Sequence, residues 1–273
     1  MPRVSVVIPC YNQGHFIREA IASVEGVPEK DLYEVIIVND GSTDADTIAQ
    51  MRALEQEGYR VVNQSNAGLG AARNSGIRES KGEYILPLDS DNRIRSEYIG
   101  EGIRILDSNQ AVSVVYGDLE YFGEEVGRRE VGAFSLQRQM LSNSIDACAV
   151  YRRSCWVNLG GYDERMPAMG FEDWDFWLRI AFSGGRFHYV RKVLFDYRCR
   201  SGSMVRSVDK QQYVILHEYM QEKYRGFLDQ TYLWNSMMGQ KRFLAAHMLL
   251  ATLLPGPYRY LLGRGLVRKK YLV

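Results

Sequence analysis

Two carboxylates stand one residue apart at Asp89 and Asp91, directly after the apolar run 84–88. Like charges this close repel each other, and burying them is costly unless a cation or hydrogen-bond donors compensate. Hard Mg²⁺ or Mn²⁺ prefers oxygen ligands and can bridge the phosphates of a diphosphate, so the pair predicts a metal site. Two acids in an ordinary surface turn are the alternative.

A second acidic group, at residues 172–175, lies among four aromatic side chains, Phe171, Trp174, Phe176 and Trp177. A carboxylate partly removed from water there could act as a base, for which Asp173 is the candidate, and a Trp face can stack on a sugar. The alternative makes Asp173 the N-cap of a helix and Phe176, Trp177 and Ile180 its buried stripe. We favour burial for the aromatics and chemistry for Asp173.

Three further polar segments, 9–12, 39–44 and 66–76, follow or lie between the apolar runs of the first half. Asp40 can accept hydrogen bonds from a base or a ribose, although a turn with a helix cap explains 39–44 as well. The amides that open a helix near residue 69 could meet an anion, with Arg73 as a cationic partner. Small residues that let a helix pack closely on a sheet are an equally good reading of 66–76.

These segments fall at the ends of strands in the predicted fold. Over residues 1–120, short β-branched apolar runs alternate with amphipathic stretches, which indicates a parallel sheet with helices on both faces. Ligands of such sheets lie beyond the carboxyl ends of the strands, where the polar segments stand. The predicted strands cover residues 4–8, 34–38, 60–63, 84–88 and 112–116, and the predicted helices cover 16–24, 44–57, 69–79 and 97–107.

The second half of the chain has a less regular pattern. Residues 121–141, with three glycines among mixed charges, predict an excursion or flap. We expect a helix at 174–182, strands at 187–190 and 193–197, and helix again from about residue 208.

Composition excludes several classes of protein. The 273 residues are 46% apolar with a formal net charge of +1, which argues against intrinsic disorder and against a general nucleic-acid binder. The four cysteines form no C-x-x-C pair, so we expect reduced thiols and no zinc site. The sequence shows neither a signal peptide nor an apolar run of about 20 residues, so we expect a cytoplasmic protein.

Charge is uneven along the chain. Residues 206–273 carry 11 Lys and Arg against 4 Asp and Glu, and residues 243–254 are apolar on nearly every side. Segment 243–270 could lie at the inner face of a membrane, with its cations on anionic head groups. A helix packed on the rest of the chain, or in a homodimer contact, is an equal alternative.

In their order, the segments resemble those of a family 2 glycosyltransferase with the GT-A fold, over roughly residues 4–204. The motifs that carry the resemblance are V-S-V-V-I-P-C-Y-N at 4–12, N-D-G-S-T-D at 39–44, N-A-G-L-G-A-A-R-N-S-G at 66–76, D-S-D at 89–91 and E-D-W-D at 172–175. The resemblance implies an α/β fold with a mostly parallel, Rossmann-like sheet, helices on both faces and a helical C-terminal extension. It implies a catalytic domain at 1–205, with a nucleotide-sugar half at 1–120 and an acceptor and base half at 121–205, followed by a basic, apolar helical region at 206–273.

The resemblance also implies roles for single residues. Asp173 would be the general base, Asp91 would hold Mn²⁺ or Mg²⁺ under the diphosphate, and Asp89 would approach the ribose. Acceptor contacts would come from Glu172 and Trp174. The remaining donor-binding residues would be Pro9, Tyr11, Asn12, Asp40, Arg73 and Arg200.

One position departs from the family pattern. Family members often carry Y-R-x-H-x-x-S after the helix of the base, and its His ligates the metal. Residues 197–203 read Y-R-C-R-S-G-S, which puts Arg200 in that place. A guanidinium cannot ligate a cation, so Arg200 could pair with the diphosphate instead, and metal dependence is less firmly implied than the fold.

The implied reaction is the inverting transfer of a sugar from a nucleoside diphosphate donor to a hydroxyl of a glycan or lipid-linked acceptor, in envelope polysaccharide or glycoconjugate synthesis. UDP is the leading nucleotide, with GDP and dTDP open. A nucleotidyltransferase that makes activated sugars is a rival, but it would ordinarily carry a Gly-rich basic loop where P-C-Y-N stands at 9–12. A non-catalytic module that binds nucleotide sugars is the second rival.

Overall fold

The computed structural model describes residues 1–201 and 210–225, in which strands and helices alternate over the first half of the chain. The strands of this part are β1 Val4–Cys10, β2 Tyr33–Asp40, β3 Arg60–Gln64, β4 Tyr84–Pro87, β5 Arg93–Ile94, β6 Val112–Gly123, β7 Gly127–Arg129, β8 Val150–Arg152 and β9 Arg186–Cys199. Its helices are α1 Gly14–Glu25, α2 Ala45–Gln56, α3 Leu69–Arg78, α4 Tyr98–Ser108, α5 Leu136–Leu141, α6 Arg153–Leu159, α7 Glu172–Phe182 and α8 Lys210–Lys223. Every strand and helix predicted before residue 110 is present, with ends within two residues of the prediction.

The sheet has a parallel half and a mixed half. Strands β3, β2, β1 and β4 lie side by side in that order and are all parallel, so their carboxyl ends share one edge. Strand β8 runs antiparallel to β4 on one side and to β6 on the other, and β9 is parallel to β6. Strand β5 pairs antiparallel with β9, and β7 with β6. The start of β8 therefore lies at the same edge as the carboxyl end of β4.

Helices cover the sheet on both faces, as β1 shows. All residues of β1 are buried. Val6 belongs to a buried cluster with residues of α1, α2 and α4, whereas Val7 belongs to a second cluster with residues of α3 and α7. Successive side chains of a strand point to opposite faces, so a strand that is buried on both faces reads as a continuous apolar run. The predicted arrangement of a mostly parallel sheet between helices is confirmed.

The two strands predicted at 187–190 and 193–197 form one strand, β9. Val190 pairs with Gly117 and Val193 pairs with the next residue of β6, so the intervening Arg191 and Lys192 bulge out of the ladder. Both of these residues are exposed. Their polar character mimics a turn in the sequence, whereas a bulge bends a strand without ending it.

The segment predicted as a flap, 121–141, is more regular than its glycines indicate. Strand β6 continues to Gly123, the short β7 pairs back on it, and α5 follows. Ser135 caps α5 by accepting a hydrogen bond from the amide of Arg138 at 3.3 Å. Helix α6 is absent from the prediction because a helix of seven residues is too short for its periodicity to show.

The helix predicted from residue 208 is present as α8 and packs on α7. Met220 of α8 lies in one buried cluster with Trp174 and Leu178 of α7. The described part of the predicted region 206–273 is therefore attached to the helix that carries the acidic group.

The rest of that region, including segment 243–270, lies outside the described residues. Within 1–201 and 210–225, no helix combines the length and the apolar character that a membrane span requires.

Candidate active site

The carboxyl ends of the parallel strands carry the polar segments, as predicted. Asn12, after β1, has a left-handed φ of 53°, and its side-chain oxygen accepts hydrogen bonds from the amides of Thr43 at 2.8 Å and Asp44 at 3.0 Å. Asn tolerates this conformation because its short polar side chain can bond locally. Asn12 thus joins the loops after β1 and β2. Beside it, Tyr11 is 43% exposed at the edge of the sheet, whereas Pro9 is buried within β1.

Asp40 ends β2 and is buried. One carboxylate oxygen accepts hydrogen bonds from the side chain of Gln64 at 2.7 Å and the amide of Ala67 at 2.9 Å, and the other accepts from the amide of Gly68 at 3.0 Å. Asp40 therefore fixes the loop that opens α3, and its charge lies at a helix N-terminus, where it is favoured. Its contact with a nucleotide base stays a prediction, and a base would have to use the oxygen that Gly68 also contacts.

Arg73 of α3 is the buried cation of the site, with 2% of its surface exposed. Its guanidinium donates to the carboxylate of Asp89 at 2.7 Å and lies 5.6 Å from the ring centre of Tyr162. Burial by itself would lower the pKa of Arg73, but the charges of Asp89, Asp173 and Glu172 hold that pKa above its ordinary value. Acidic residues from two distant parts of the chain therefore face one guanidinium.

Other residues of segment 66–76 serve packing. A Cβ on Gly76 would lie 2.4 Å from Cγ1 of Val7, so a residue without a side chain is what lets α3 lie this close to β1. The side-chain oxygen of Asn74 accepts from the indole of Trp156 at 2.7 Å and from the amide of Tyr162 at 2.8 Å. Gly76 and Asn74 thus fit the packing reading of the segment, whereas contact of the helix amides and of Arg73 with an anion stays a prediction.

Asp91 and Arg200 form an ion pair. Nε of Arg200 donates to Oδ2 of Asp91 at 3.1 Å, and the two side chains are 22% and 15% exposed. Burial and the nearby charge of Asp89 raise the pKa of Asp91, which Arg200 opposes. The guanidinium of Arg200 also lies 5.2 Å from the ring centre of Phe16. Two positions that the resemblance gives to metal ligands thus hold a carboxylate and its cationic partner.

The side chains around Asp91 do not fit a resident divalent cation. Both carboxylates of D-S-D have an arginine partner, Arg73 on Asp89 and Arg200 on Asp91. A cation at Asp91 would have to displace Arg200 or lie beside its positive charge. Within residues 1–201 and 210–225, no three His, Cys, Asp or Glu side chains gather as a metal-binding group. The divalent metal stays a prediction that this placement does not support.

Asp173 lies in the first turn of α7. Its Oδ1 accepts from the amide of Trp174 at 2.8 Å, and its Oδ2 accepts from the side chain of Asn143 at 2.8 Å. The residue is half-buried. Burial raises its pKa to about 6, and Glu172 adds to the rise, whereas Arg73 and Asn143 oppose it. A carboxylate with this pKa can accept a proton efficiently near neutral pH.

Glu172 and Trp174, the predicted acceptor contacts, are covered by the protein. Each has 4% of its surface exposed. Glu172 accepts a hydrogen bond from the amide of Gly170 at 2.8 Å, and the indole of Trp174 donates to the carbonyl of Gln139 and lies edge-on to Phe171. The burial expected for Phe176 and Trp177 is confirmed, whereas Phe171 is only partly buried. Contact of Glu172 and Trp174 with an acceptor stays a prediction without support from their placement.

Two polar residues of the site, Asn143 and Asp146, are missing from the sequence prediction. They lie in the segment that leads into β8, and Oδ1 of Asp146 accepts from the amide of Cys148 at 2.9 Å. Burial, and then the charges of Asp89 and Asp173, raise the pKa of Asp146 to about 7. An acid shortly before an apolar strand is the sequence signal that could reveal Asp146. The signal places Asp146 at the site only if β8 is known to be antiparallel, because the start of an antiparallel strand lies at the carboxyl ends of the parallel ones.

Comparison with known proteins shows the family of the chain. The model of the family described as glycosyl transferase family 2 matches residues 5–162, which is more than half of the chain. EpsH of Bacillus subtilis, which is named a glycosyltransferase, is 30% identical over 227 residues, or 77% of this chain and 64% of EpsH. An uncharacterized glycosyltransferase of Rickettsia felis is 25% identical over 256 residues, or 85% of this chain and 41% of the relative. The chain thus spans less than two thirds of the length of each relative.

The fold is shared with a solved structure. The crystal structure of S. aureus TarS 1–349 in complex with UDP-GlcNAc matches with a TM-score of 0.66 and 20% sequence identity, over 96% of this chain and 73% of the TarS chain. At this identity the likeness shows the fold, and it confirms the predicted GT-A fold. The family predicted from the motifs is confirmed as well, and the chain belongs to glycosyl transferase family 2.

Proposed function

We propose that this chain is an inverting glycosyltransferase that moves a sugar from a nucleoside diphosphate to a hydroxyl group, with Asp173 as the general base. One electrostatic observation carries the proposal. Asp173 has a pKa raised to about 6 and interacts with Arg73, which is paired with Asp89 of the D-S-D turn. Asp173 could then act on the acceptor while the D-S-D turn binds the donor of the same reaction. Membership of the family supports the reaction class.

The donor that we propose first is a UDP-sugar, ahead of sugars linked to GDP or dTDP. TarS, which shares the fold, has been solved with UDP-GlcNAc and with UDP. The exposed Tyr11 at the end of β1 could stack on the base, and Asp89, whose side chain is 30% exposed, could reach the ribose. Asp40 supports the same end of the site by fixing the loop that opens α3.

The proposed reaction is a single displacement. Asp173 takes the proton of an acceptor hydroxyl, and the acceptor oxygen forms a bond to the anomeric carbon of the sugar. The bond from that carbon to the diphosphate oxygen breaks on the opposite face, so the configuration inverts. Its electron pair leaves with the nucleoside diphosphate, and the proton ends on Asp173. With a pKa of about 6, Asp173 is mostly ionised at neutral pH and still basic enough to accept this proton.

The acceptor that we propose is a hydroxyl of a glycan or a lipid-linked saccharide, in envelope polysaccharide or glycoconjugate synthesis. The basic and apolar composition of segment 243–270 supports a location at the inner, anionic face of a membrane. Sedimentation with anionic liposomes at low salt tests this location, and protein that stays wholly in the supernatant would contradict it.

A panel of nucleotide sugars tests the proposed function. Sugars linked to UDP, GDP and dTDP are incubated with glycan and lipid-linked acceptors, and free nucleoside diphosphate and glycosylated product are both measured. We expect one donor class to give the two products in equal amounts. Release of pyrophosphate would indicate a nucleotidyltransferase instead. A donor that raises the melting temperature without any turnover would indicate a binding module.

A further inference from the structure

The end of β9 is tied directly to the D-S-D turn, and this fixes the place of Arg200. Arg198 is the last residue but one of β9, and its backbone amide donates to the side-chain oxygen of Asn92 at 2.9 Å. Its Nε donates to the backbone carbonyl of Asp91 at 2.9 Å. Strand β5, two residues after Asp91, pairs antiparallel with β9 and extends the same connection. The residue that follows β9 is therefore held beside the carboxylate of Asp91.

Arg198 is the anchor of this arrangement, and Arg200 is the residue that it positions. The guanidinium of Arg198 pairs with Glu19 and lies over the rings of Phe16 and Phe122, at 4.5 and 4.3 Å from their centres. Arg200 lies over the ring of Phe16 as well. An arginine that is already stacked on a ring loses less side-chain entropy when it binds an anion.

The two acids of the turn each have a cationic partner within the protein. Asp89 pairs with Arg73 at 2.7 Å, and Asp91 pairs with Arg200 at 3.1 Å. A divalent ion on Asp91 would lie against the positive charge of the Arg200 guanidinium. A diphosphate brings negative charge instead, which Arg200 can bind while it remains next to Asp91.

We propose that Arg200 supplies the positive charge that a metal would otherwise supply, by binding the diphosphate of the donor and stabilising it as the leaving group. This inference rests on the proposed function and adds that donor binding needs no divalent cation. A planar guanidinium can donate two parallel hydrogen bonds to phosphate oxygens. Charge that is held in place before the reaction stabilises the leaving group without reorganisation. Asp91 then acts as the positioning residue of Arg200.

Binding of plain nucleoside diphosphates tests the inference. UDP, GDP and dTDP are titrated calorimetrically into the full chain, first with EDTA and then with MnCl₂. We expect the nucleotide that binds to do so in both buffers, with Kd values within about threefold of each other. Arg200→Ala should weaken this binding about tenfold or more, because a charge-assisted bond is lost, and Arg200→Lys should weaken it less. Arg104→Ala, at an exposed position of α4, is the matched control and should leave Kd unchanged.

Arg200→His gives a second readout that does not depend on activity. It restores the residue that the family pattern carries there, and an imidazole can ligate a metal. The electron paramagnetic resonance signal of free Mn²⁺ is measured with protein and UDP, corrected for the complex of Mn²⁺ with UDP alone. We expect the original chain to leave the signal unchanged and Arg200→His to reduce it. Thermal unfolding shows that each variant is folded.

Two results would overturn the inference and leave the proposed function intact. One is nucleotide binding by the original chain that disappears in EDTA and returns with Mn²⁺, a comparison that needs no variant to fold. The other is a folded Arg200→Ala variant with unchanged binding in EDTA. If none of the three nucleotides binds in either buffer and the panel of nucleotide sugars gives no turnover, the proposed function fails and the inference fails with it.

Discussion

Arg73 is the charge around which the acids of the site are arranged. It pairs with Asp89, and it lowers the pKa of both Asp173 and Asp146, which burial raises to about 6 and about 7. Without this cation, both carboxyls would hold their protons more tightly, and Asp173 would be a weaker candidate for a base at neutral pH.

The sequence predicts some residues of the site and not others, for a physical reason. Arg73, Asp89 and Asp91 stand at the ends of parallel strands or in the helix that follows, and all such ends meet at one edge of a sheet. Asp146 reaches that edge from the beginning of β8, because β8 is antiparallel. The three residues of β8 are too few to reveal the strand or its direction in the sequence, so Asp146 could not be placed there.

Asn143→Ala should move the pH dependence of activity to higher pH. We expect kcat/KM of the original chain to rise with pH through about 6, as Asp173 loses its proton. The hydrogen bond from Asn143 favours the charged carboxylate, so its removal should raise the pKa of Asp173. The measurement is kcat/KM from about pH 5 to about pH 9 with the best donor of the panel.

Asp146→Asn should leave the midpoint of the same pH profile near 6. Asp146 has a pKa of about 7 and is mostly protonated where Asp173 titrates, so the substitution removes little negative charge there. A shifted profile in Asn143→Ala beside an unshifted one in Asp146→Asn separates an effect on the base from general damage to the site. If Asn143→Ala lowers the rate equally at every pH and leaves the midpoint in place, the fall of kcat/KM at low pH does not belong to Asp173.

Among the elements, α8 packs on α7, the helix that carries Asp173, and is joined to it by polar contacts. Nζ of Lys223 lies 2.6 Å from the carboxylate of Asp175 in α7 and also pairs with Asp163, and both acids are almost fully buried. The hydroxyl of Tyr224 donates to Asp175 at 2.6 Å. The acidic group 172–175 thus contains one residue that we propose for chemistry, Asp173, and one that docks α8, Asp175, and their shared residue type could not distinguish them in the sequence.

Lys223→Met should lower the free energy of unfolding by about 1–3 kcal/mol, because buried carboxylates lose a partner while their other hydrogen bonds remain. Urea denaturation measures this value. The control is Arg225→Ala, whose side chain is 74% exposed and pairs with Glu222, which is 67% exposed. We expect the control to change stability by about 0.5 kcal/mol or less. Equal losses in the two variants would show that Lys223 does not clamp α8 to α7.

The parallel strands could be predicted closely, and the elements of the second half less well. Buried parallel strands read as continuous apolar runs, which is why β1 to β4 were recognisable. Strand β8 and helix α6 have three and seven residues, too few for a period to show. In β9, the exposed pair Arg191 and Lys192 imitates a turn, and only the pairing with β6 shows that the strand continues.

At the scale of the molecule, the site is shared by the two halves of one sheet. The parallel half and its helix α3 supply Arg73, Asp89 and Asp91. The mixed half and its helix α7 supply Asp173 and Arg200. The predicted division at residue 120 stays a prediction, and the ion pair between Asp91 and Arg200 crosses it. Stability of the whole fold therefore maintains the geometry of the site.

Stability should fall as the pH falls from about 6.5 towards about 4, in part through His217. This residue of α8 contacts the rings of Phe171, Trp174 and Tyr213, and burial lowers its pKa from 6.5 to about 4. Below pH 6.5 the unfolded chain binds a proton at His217 that the folded chain does not, so acid favours unfolding. This pKa shift corresponds to a loss of about 3 kcal/mol in the free energy of unfolding by the time the pH has fallen to about 4.

Urea denaturation at several pH values, with the original chain and His217→Phe, measures this contribution. We expect a smaller loss of stability in the variant between about pH 6.5 and about pH 4, since the ring remains and the titrating group is gone. His15→Gln, at an exposed position, is the control and should keep the original pH dependence. An unchanged dependence in His217→Phe would assign the acid sensitivity to other groups.

The turnover of Asp173→Asn tests the claim that Asp173 accepts the proton of the acceptor hydroxyl. Asn keeps the size of the side chain but cannot take up that proton. We expect nucleotide affinity to be retained and kcat to fall by about 10²–10⁴. Asp46→Asn, an exposed acid in the first turn of α2, is the matched control and should keep normal turnover. Near-normal turnover of a folded Asp173→Asn variant would contradict the claim.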